Sequence, residues 1–183
     1  MLEKKMLLPT KFSSTTLIAR NNLILKLVNI NGIFSLTENI NEKNKFNQNF
    51  KVFFSLDTPD IGKFTFNNKF MAIWLRTNSY FVLGEENFDN IISSFESVAS
   101  ITDQTGGWIK LNIDGEKVKF LLEKLLTIDL KVFYEGSALR TTINKINCIV
   151  LCNKQFKNYT ILCPVSFFES MKIRLTNLVN LIA

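Results

Sequence analysis

The sequence predicts an α+β fold in which antiparallel sheets carry helices packed on one side, a ferredoxin-like arrangement, and three observations point there. From about Met71 onward, strand pairs alternate with amphipathic helical stretches, the pattern that sets helices against one face of an antiparallel sheet. The turns between those strands are short, whereas a doubly wound parallel sheet needs a long crossover after every strand. With 183 residues, 46% of them hydrophobic and 21% charged, the chain has the composition of one globular domain spanning 1–183, or of two small fused halves. A chain of that length buries roughly 70% of its unfolded surface.

The elements follow in order. Thr15 to Val28 is rich in β-branched and aliphatic residues and reads as strand, and Asn31-Gly32 is a turn signal that returns the chain through Ile33 to Leu36 as a hairpin. Thr37 to Asn49 is polar and asparagine-rich, either a loop or a marginal helix. The Phe-rich run Phe50 to Leu56 ends at Asp57-Thr58-Pro59-Asp60, a turn. Phe70 to Leu75 and Tyr80 to Leu83 are strands joined around Thr77-Asn78. A helix from near Asn87 then sets Phe88, Ile91, Ile92 and Phe95 on one face. Val98 to Thr102 and Trp108 to Ile113 flank the Gly106-Gly107 turn as a second hairpin. The helix after it, capped by Asp114, aligns Val118, Leu121, Leu122 and Leu125. Strands near Ala138 to Ile143, Asn147 to Cys152 and Tyr159 to Leu162 lead to a terminal helix. Ser166 and Glu169 form an S-x-x-E capping box there, and Phe167, Met171, Leu175, Leu178 and Ile182 make the apolar face.

Composition excludes several chemistries. The chain has no histidine, which removes Ser-His-Asp and Cys-His nucleophilic sites, His-ligated zinc and imidazole bases. Its net charge of +6 comes mostly from scattered lysines, with Arg20, Arg76, Arg140 and Arg174 as the arginines. That is a solvated surface rather than a guanidinium set for reading nucleic acid. Cys148, Cys152 and Cys163 are odd in number, and Cys148 and Cys152 are about 13 Å apart along one strand face, too far for a disulfide. They read as buried thiols in a reducing compartment. Met1 to Phe12 has no apolar stretch of signal-peptide length, and no run of about 18 apolar residues spans a membrane. Cytoplasm is the resulting expectation.

The remaining polar residues carry mainly structural roles. The seven glycines show no G-x-G-x-x-G or Walker spacing, so no cofactor-binding loop is expected in this chain. Asp57 with Asp60 and Glu85 with Glu86 are paired acids beside turns or a helix start, where solvated or capping carboxylates belong. Asp103 and Asp114 read as a turn stabiliser and a helix cap. Phe64 and Phe66 beside Lys63 and Lys69 match a stacking platform for single-stranded nucleic acid, but with no RNP-type glycine-aromatic cluster beside them they read rather as one buried strand face. Trp74 and Trp108 suit a core or a protein interface, and some of the seventeen phenylalanines are free to face a partner.

Several segments, in order, resemble the gamma subunit of heterotetrameric sarcosine oxidase. Trp74-Leu75-Arg76-Thr77-Asn78-Ser79-Tyr80-Phe81-Val82-Leu83-Gly84 resembles the family's W-L-G-P-x-E-W-L-L segment, without its Gly-Pro and acid. Asp103-Gln104-Thr105-Gly106-Gly107, with Leu111 and Gly115, is similar to D-x-S-x-G…L…G. Ile128-Asp129-Leu130, Phe133, Gly136 and Thr141 follow its D-L…F…G…T order. Pro164-Val165-Ser166-Phe167-Phe168-Glu169-Ser170 is similar to P-R-S-F-A-E-S, with Val165 in place of arginine. The resemblance covers roughly Met71 to Ala183 and matches Met1 to Phe70 weakly.

The resemblance implies a fold like the folate-binding domain of the glycine-cleavage T-protein and a non-catalytic subunit without catalytic, cofactor or metal residues. Trp74, Tyr80, Trp108, Arg140, Ser166 and Phe167 are its candidate structural or partner-contact residues. Alpha, beta and delta subunits would hold FAD, FMN, NAD and tetrahydrofolate and would demethylate sarcosine to glycine. Three alternatives stay open: a gamma subunit for another N-methylated amino acid such as N-methylglutamate, a stand-alone folate-binding protein, and a nucleic-acid-binding module.

Overall fold

The computed structural model describes residues 13–20 and 22–182. The expectation for Met1 to Phe12 and the side chain of Phe88 lie outside what is described. The elements run β1 (Thr15–Arg20), β2 (Leu23–Val28), β3 (Ile33–Glu38), α1 (Lys43–Phe54), β4 (Phe64–Phe66), β5 (Phe70–Arg76), β6 (Ser79–Gly84) and α2 (Phe88–Phe95). They continue through β7 (Ala99–Asp103), β8 (Trp108–Gly115), α3 (Val118–Leu125), β9 (Ala138–Ile143), β10 (Ile146–Lys154) and β11 (Asn158–Pro164), then a 3-10 turn (Val165–Phe167) and α4 (Phe168–Leu181).

The strands form two antiparallel sheets, ordered β4-β5-β6-β3-β7 and β1-β2-β8-β11-β10-β9, and the α+β class read from sequence is what the chain adopts. The five-stranded sheet contains β3-α1-β5-β6-α2-β7 in the interleaved order of a ferredoxin-like unit, with β4 added outside β5. The six-stranded sheet repeats the plan with β8-α3-β10-β11-α4, and β9 added outside β10. Its closing strand, however, is β2, supplied from the opposite end of the chain. One half is therefore continuous in sequence, and the other is completed by the N-terminal strands.

Burial shows how the halves stack. Leu23, Leu25, Leu27, Ile109, Leu111, Ile113, Tyr159 and Ile161 turn one face of the six-stranded sheet toward Leu121 and Leu122 of α3 and Met171 and Leu175 of α4. Phe34, Leu36, Ala72, Tyr80 and Val82 turn one face of the other sheet toward Phe46, Phe50 and Phe54 of α1 and Ile91 and Phe95 of α2. Between the sheets lies a third cluster, Ile33, Phe64, Ile73, Phe81 and Leu83 against Ala138, Ile149, Leu151 and Leu162. The layers are thus helix, sheet, sheet, helix, and strand periodicity of two decides which residues face which layer.

Several local expectations are corrected. The Asn31-Gly32 turn makes no hairpin: β2 pairs with β1 and β8, whereas β3 pairs with β6 and β7 in the other sheet. Gly32 serves a close approach instead, since a Cβ there would lie 2.7 Å from the Gly84 carbonyl oxygen. The first hairpin is β1–β2, turning at Asn22 in left-handed conformation (φ 58°). Likewise β7 and β8 belong to different sheets, so Gln104–Gly107 is a passage between layers, tightened by a Gly107 N–H bond to the Gln104 carbonyl at 2.9 Å. The hairpin around Thr77-Asn78 and the three C-terminal strands form as expected.

The asparagine-rich stretch resolves as α1, which also takes in most of the Phe-rich run. Its rings at i, i+4 and i+8 are fully buried, so the core supplies the stability that its polar residues do not. Two helix caps differ from expectation. Asp114 lies in β8, where its carboxylate accepts a hydrogen bond from Asn158 Nδ2 at 2.7 Å, and α3 starts after Lys117 without a side-chain cap. Ser166 sits inside the 3-10 turn, already helical, so it lacks the extended backbone an N-cap requires. Glu169 pairs with Lys172 at 3.6 Å instead.

Candidate functional site

Charged and polar side chains enter the space between the sheets, where the sequence had no local sign of burial. In β8, Ile109, Leu111 and Ile113 face the helices, so the alternate residues Trp108, Lys110 and Asn112 face the other sheet. Lys110 stands between Val28 of β2 and Leu162 of β11 in the strand register, two apolar neighbours. Its ammonium makes no hydrogen bond or ion pair with any described residue. Burial pushes its pKa down from the ordinary lysine value.

Beside it runs a ladder of amides. Asn112 Nδ2 donates to Asn158 Oδ1 at 3.0 Å, and Asn153 Nδ2 donates to Asn158 Oδ1 at 2.6 Å and to Thr160 Oγ1 at 2.8 Å. Thr160 is among the few fully buried polar residues of the described chain. The ladder satisfies itself, as buried polar groups must, and leaves Lys110 as the one cation, among the described residues, in a cavity of about 350 Å³ roofed by Phe64, Phe66 and Met71. A second chamber of about 450 Å³ shares Phe66, Met71 and Lys110 with it and opens past Asn67 and Lys69. Phe64 and Phe66 stack at 5.9 Å between centroids, Phe64 buried and Phe66 67% exposed at the mouth.

A smaller opening of about 230 Å³ lies elsewhere on the same seam, lined by Arg76, Ser79, Trp108 and Arg140 and, among the described residues, by no carboxylate. Arg76 Nε donates to Ser79 Oγ at 3.3 Å, and Trp108 packs edge-on to Phe81 at 5.3 Å. Two residues singled out in sequence, Trp108 and Arg140, therefore meet here. The other four do not join them. Tyr80 is buried against α1, stacked on Phe46 at 5.7 Å, and Trp74 is half-buried against the same cluster. Ser166 and Phe167 are exposed where the chain turns into α4.

The acids singled out in sequence hold turns and ion pairs. Asp57 pairs with Lys51 at 2.9 Å, Glu85 accepts from Asn31 Nδ2 at 3.1 Å, and Asp103 and Asp129 each accept a backbone N–H two residues on at 2.8 Å. The three cysteines are free and buried. The hydrogen bond with Cys148, and after it burial, push the Cys163 thiol far up, and burial raises the Tyr159 phenol to about 12, so neither ionises near neutral pH. Among the described residues no group of three or more metal-ligating side chains converges, and no helix is long and apolar enough to cross a membrane. Lys110 and the Asn112–Asn153–Asn158 ladder went unread in the sequence, because K-x-N-x-D alternating with aliphatics looks like a solvent face.

With the geometry in place, comparison with solved structures finds chains of similar fold. The fold is similar to a chain of the heterotetrameric sarcosine oxidase from Corynebacterium sp. U-96, whose structure was solved with pyrrole 2-carboxylate. The TM-score is 0.77 at 17% identity, covering 87% of this chain and 85% of that one. The likeness establishes the fold. No protein-family profile and no curated protein sequence matches the chain.

Proposed function

We propose that this protein is a non-catalytic structural subunit of a flavin-dependent complex of the sarcosine oxidase type, in the position of the gamma subunit. The observation that carries this reading is the likeness in fold, nearly end to end on both sides, to a chain of a heterotetrameric sarcosine oxidase. The Trp74 to Gly84 and Pro164 to Ser170 resemblances support the gamma assignment independently. On this reading alpha, beta and delta partners hold FAD, FMN, NAD and tetrahydrofolate, and this chain contributes shape and contact area. Phe167, 45% exposed at the head of α4, is an aromatic anchor of the kind that dominates protein interfaces.

Co-expression with candidate alpha, beta and delta subunits, followed by size-exclusion chromatography, tests it. The expected result is stable co-elution with a yellow flavoprotein, weakened on the order of tenfold by Phe167→Asp, a loss typical of a buried hot-spot residue. A chain that elutes alone from every such mixture, or that turns over an N-methyl amino acid unaided, would refute the reading.

A further inference from the structure

We propose that the cleft between the sheets at Lys110 binds a small molecule that joins an anionic head to a flat apolar body. The argument starts from charge. A lysine facing a cavity between two sheets, with apolar strand neighbours on both sides and no carboxylate partner among the described residues, loses hydration without recovering it from a counter-ion. Such a charge is costly to keep, and replacing it by an apolar residue is commonly neutral or stabilising. An anion entering the cleft would supply the missing partner.

The surroundings narrow the choice of ligand. Among the described residues no acidic side chain lines the inner chamber. In the outer one Lys69 is paired with Glu86 at 3.0 Å, while Glu85 is hydrogen-bonded to the neutral Asn31 amide and keeps its negative charge, so an anionic head is favoured in the inner chamber against Lys110 rather than in the outer one. The two adjoining chambers, about 350 and 450 Å³, fall in the size range of small-molecule sites. The body of the ligand would lie against Phe66, whose ring stands 67% exposed at the mouth while stacked on buried Phe64. An exposed ring over a cavity is an apolar platform with one open face, suited to a planar partner. Asn112, Asn153 and Asn158 form the polar wall that such a head would meet beside the ammonium.

The experiment titrates the purified 183-residue chain by calorimetry with 2-naphthoate, 1-naphthyl phosphate, 2-naphthamide and inorganic phosphate. Saturable one-to-one binding of naphthoate or naphthyl phosphate is expected, and their order tells carboxylate from phosphate preference. Either should bind about tenfold more tightly than the neutral amide or inorganic phosphate, a difference of about 1.4 kcal/mol. Lys110→Met should remove that advantage without lowering the melting temperature, so loss of binding is separable from loss of fold. Phe66→Ala, at an exposed position, should weaken the naphthyl anions alone. Equal binding of anion and amide, unchanged binding in Lys110→Met, or no saturable binding by either naphthyl anion would overturn the proposal. The isolated chain is the reagent, so the result does not depend on whether the subunit assignment above holds.

Discussion

The Glu86 carboxylate accepts hydrogen bonds from Asn90 Nδ2, the Asn87 backbone N–H and Lys69 Nζ, each at 3.0 Å. These bonds, that from Asn90 foremost, favour the charged form and hold its pKa down to about 2. A carboxyl whose folded value lies below its unfolded value contributes stability above the unfolded value, and that contribution is lost as pH falls through the folded one. Urea midpoints at pH 7, 4 and 2.5 should therefore show Glu86→Gln less stable than the parent at pH 7, with the gap closing between about 4.3, the ordinary glutamate value, and 2. A gap constant across that range would mean that the carboxylate's charge plays no part. The pairing of Glu85 with Glu86 was visible in sequence as a possible acid pair. Only the folded chain shows that each is occupied by its own asparagine or lysine.

Helix α1 is the element that sequence reading served least. Its polar positions carry asparagines and lysines, weak or exposed helix residues, and its start has no side-chain cap, while at its end the Asn67 amide donates to the Phe54 carbonyl at 2.9 Å. What holds it is a set of rings: Phe50 meets Phe46, Phe54, Tyr80 and Phe95 with centroids 4.9 to 6.4 Å apart. Phe50→Ala should cost about 3–5 kcal/mol, the range for deleting a buried aromatic, and chemical denaturation would measure it. A loss below about 1 kcal/mol would be that of an exposed position and would disprove this packing. By contrast α3 and α4 were legible because their aliphatic stripes repeat at helical spacing, with Val118, Leu121, Leu122 and Leu125 buried in one and Met171, Leu175 and Leu178 in the other. Their starts were misread, since Asp114 and Ser166 have capping chemistry at positions where the backbone is strand or already helical.

Across the whole molecule the two ferredoxin-like halves meet sheet to sheet, and the second half takes its closing strand from the N-terminal end of the chain. Leu23, Leu25 and Leu27 of β2 belong to the core under α3 and α4. At Gly115 (φ 136°) the β2–β8 approach is so close that a Cβ would sit 1.9 Å from the Asn22 carbonyl oxygen. A chain starting at Ile30 should thus expose both that core and the β8 edge, and should aggregate or lack a cooperative unfolding transition. A soluble, monomeric product with an intact thermal transition, by chromatography and circular dichroism, would count against this account of the fold. The sequence alone determined the α+β class, the C-terminal hairpins, three of the helical stripes and the buried thiols, because each is written in a local period of two or 3.6 residues or in residue chemistry. Tertiary structure decided which strands change sheets, that a polar stretch becomes α1, and that Lys110 and its asparagines face a cleft. Those outcomes depend on what a strand face meets across the seam, and no local period records that.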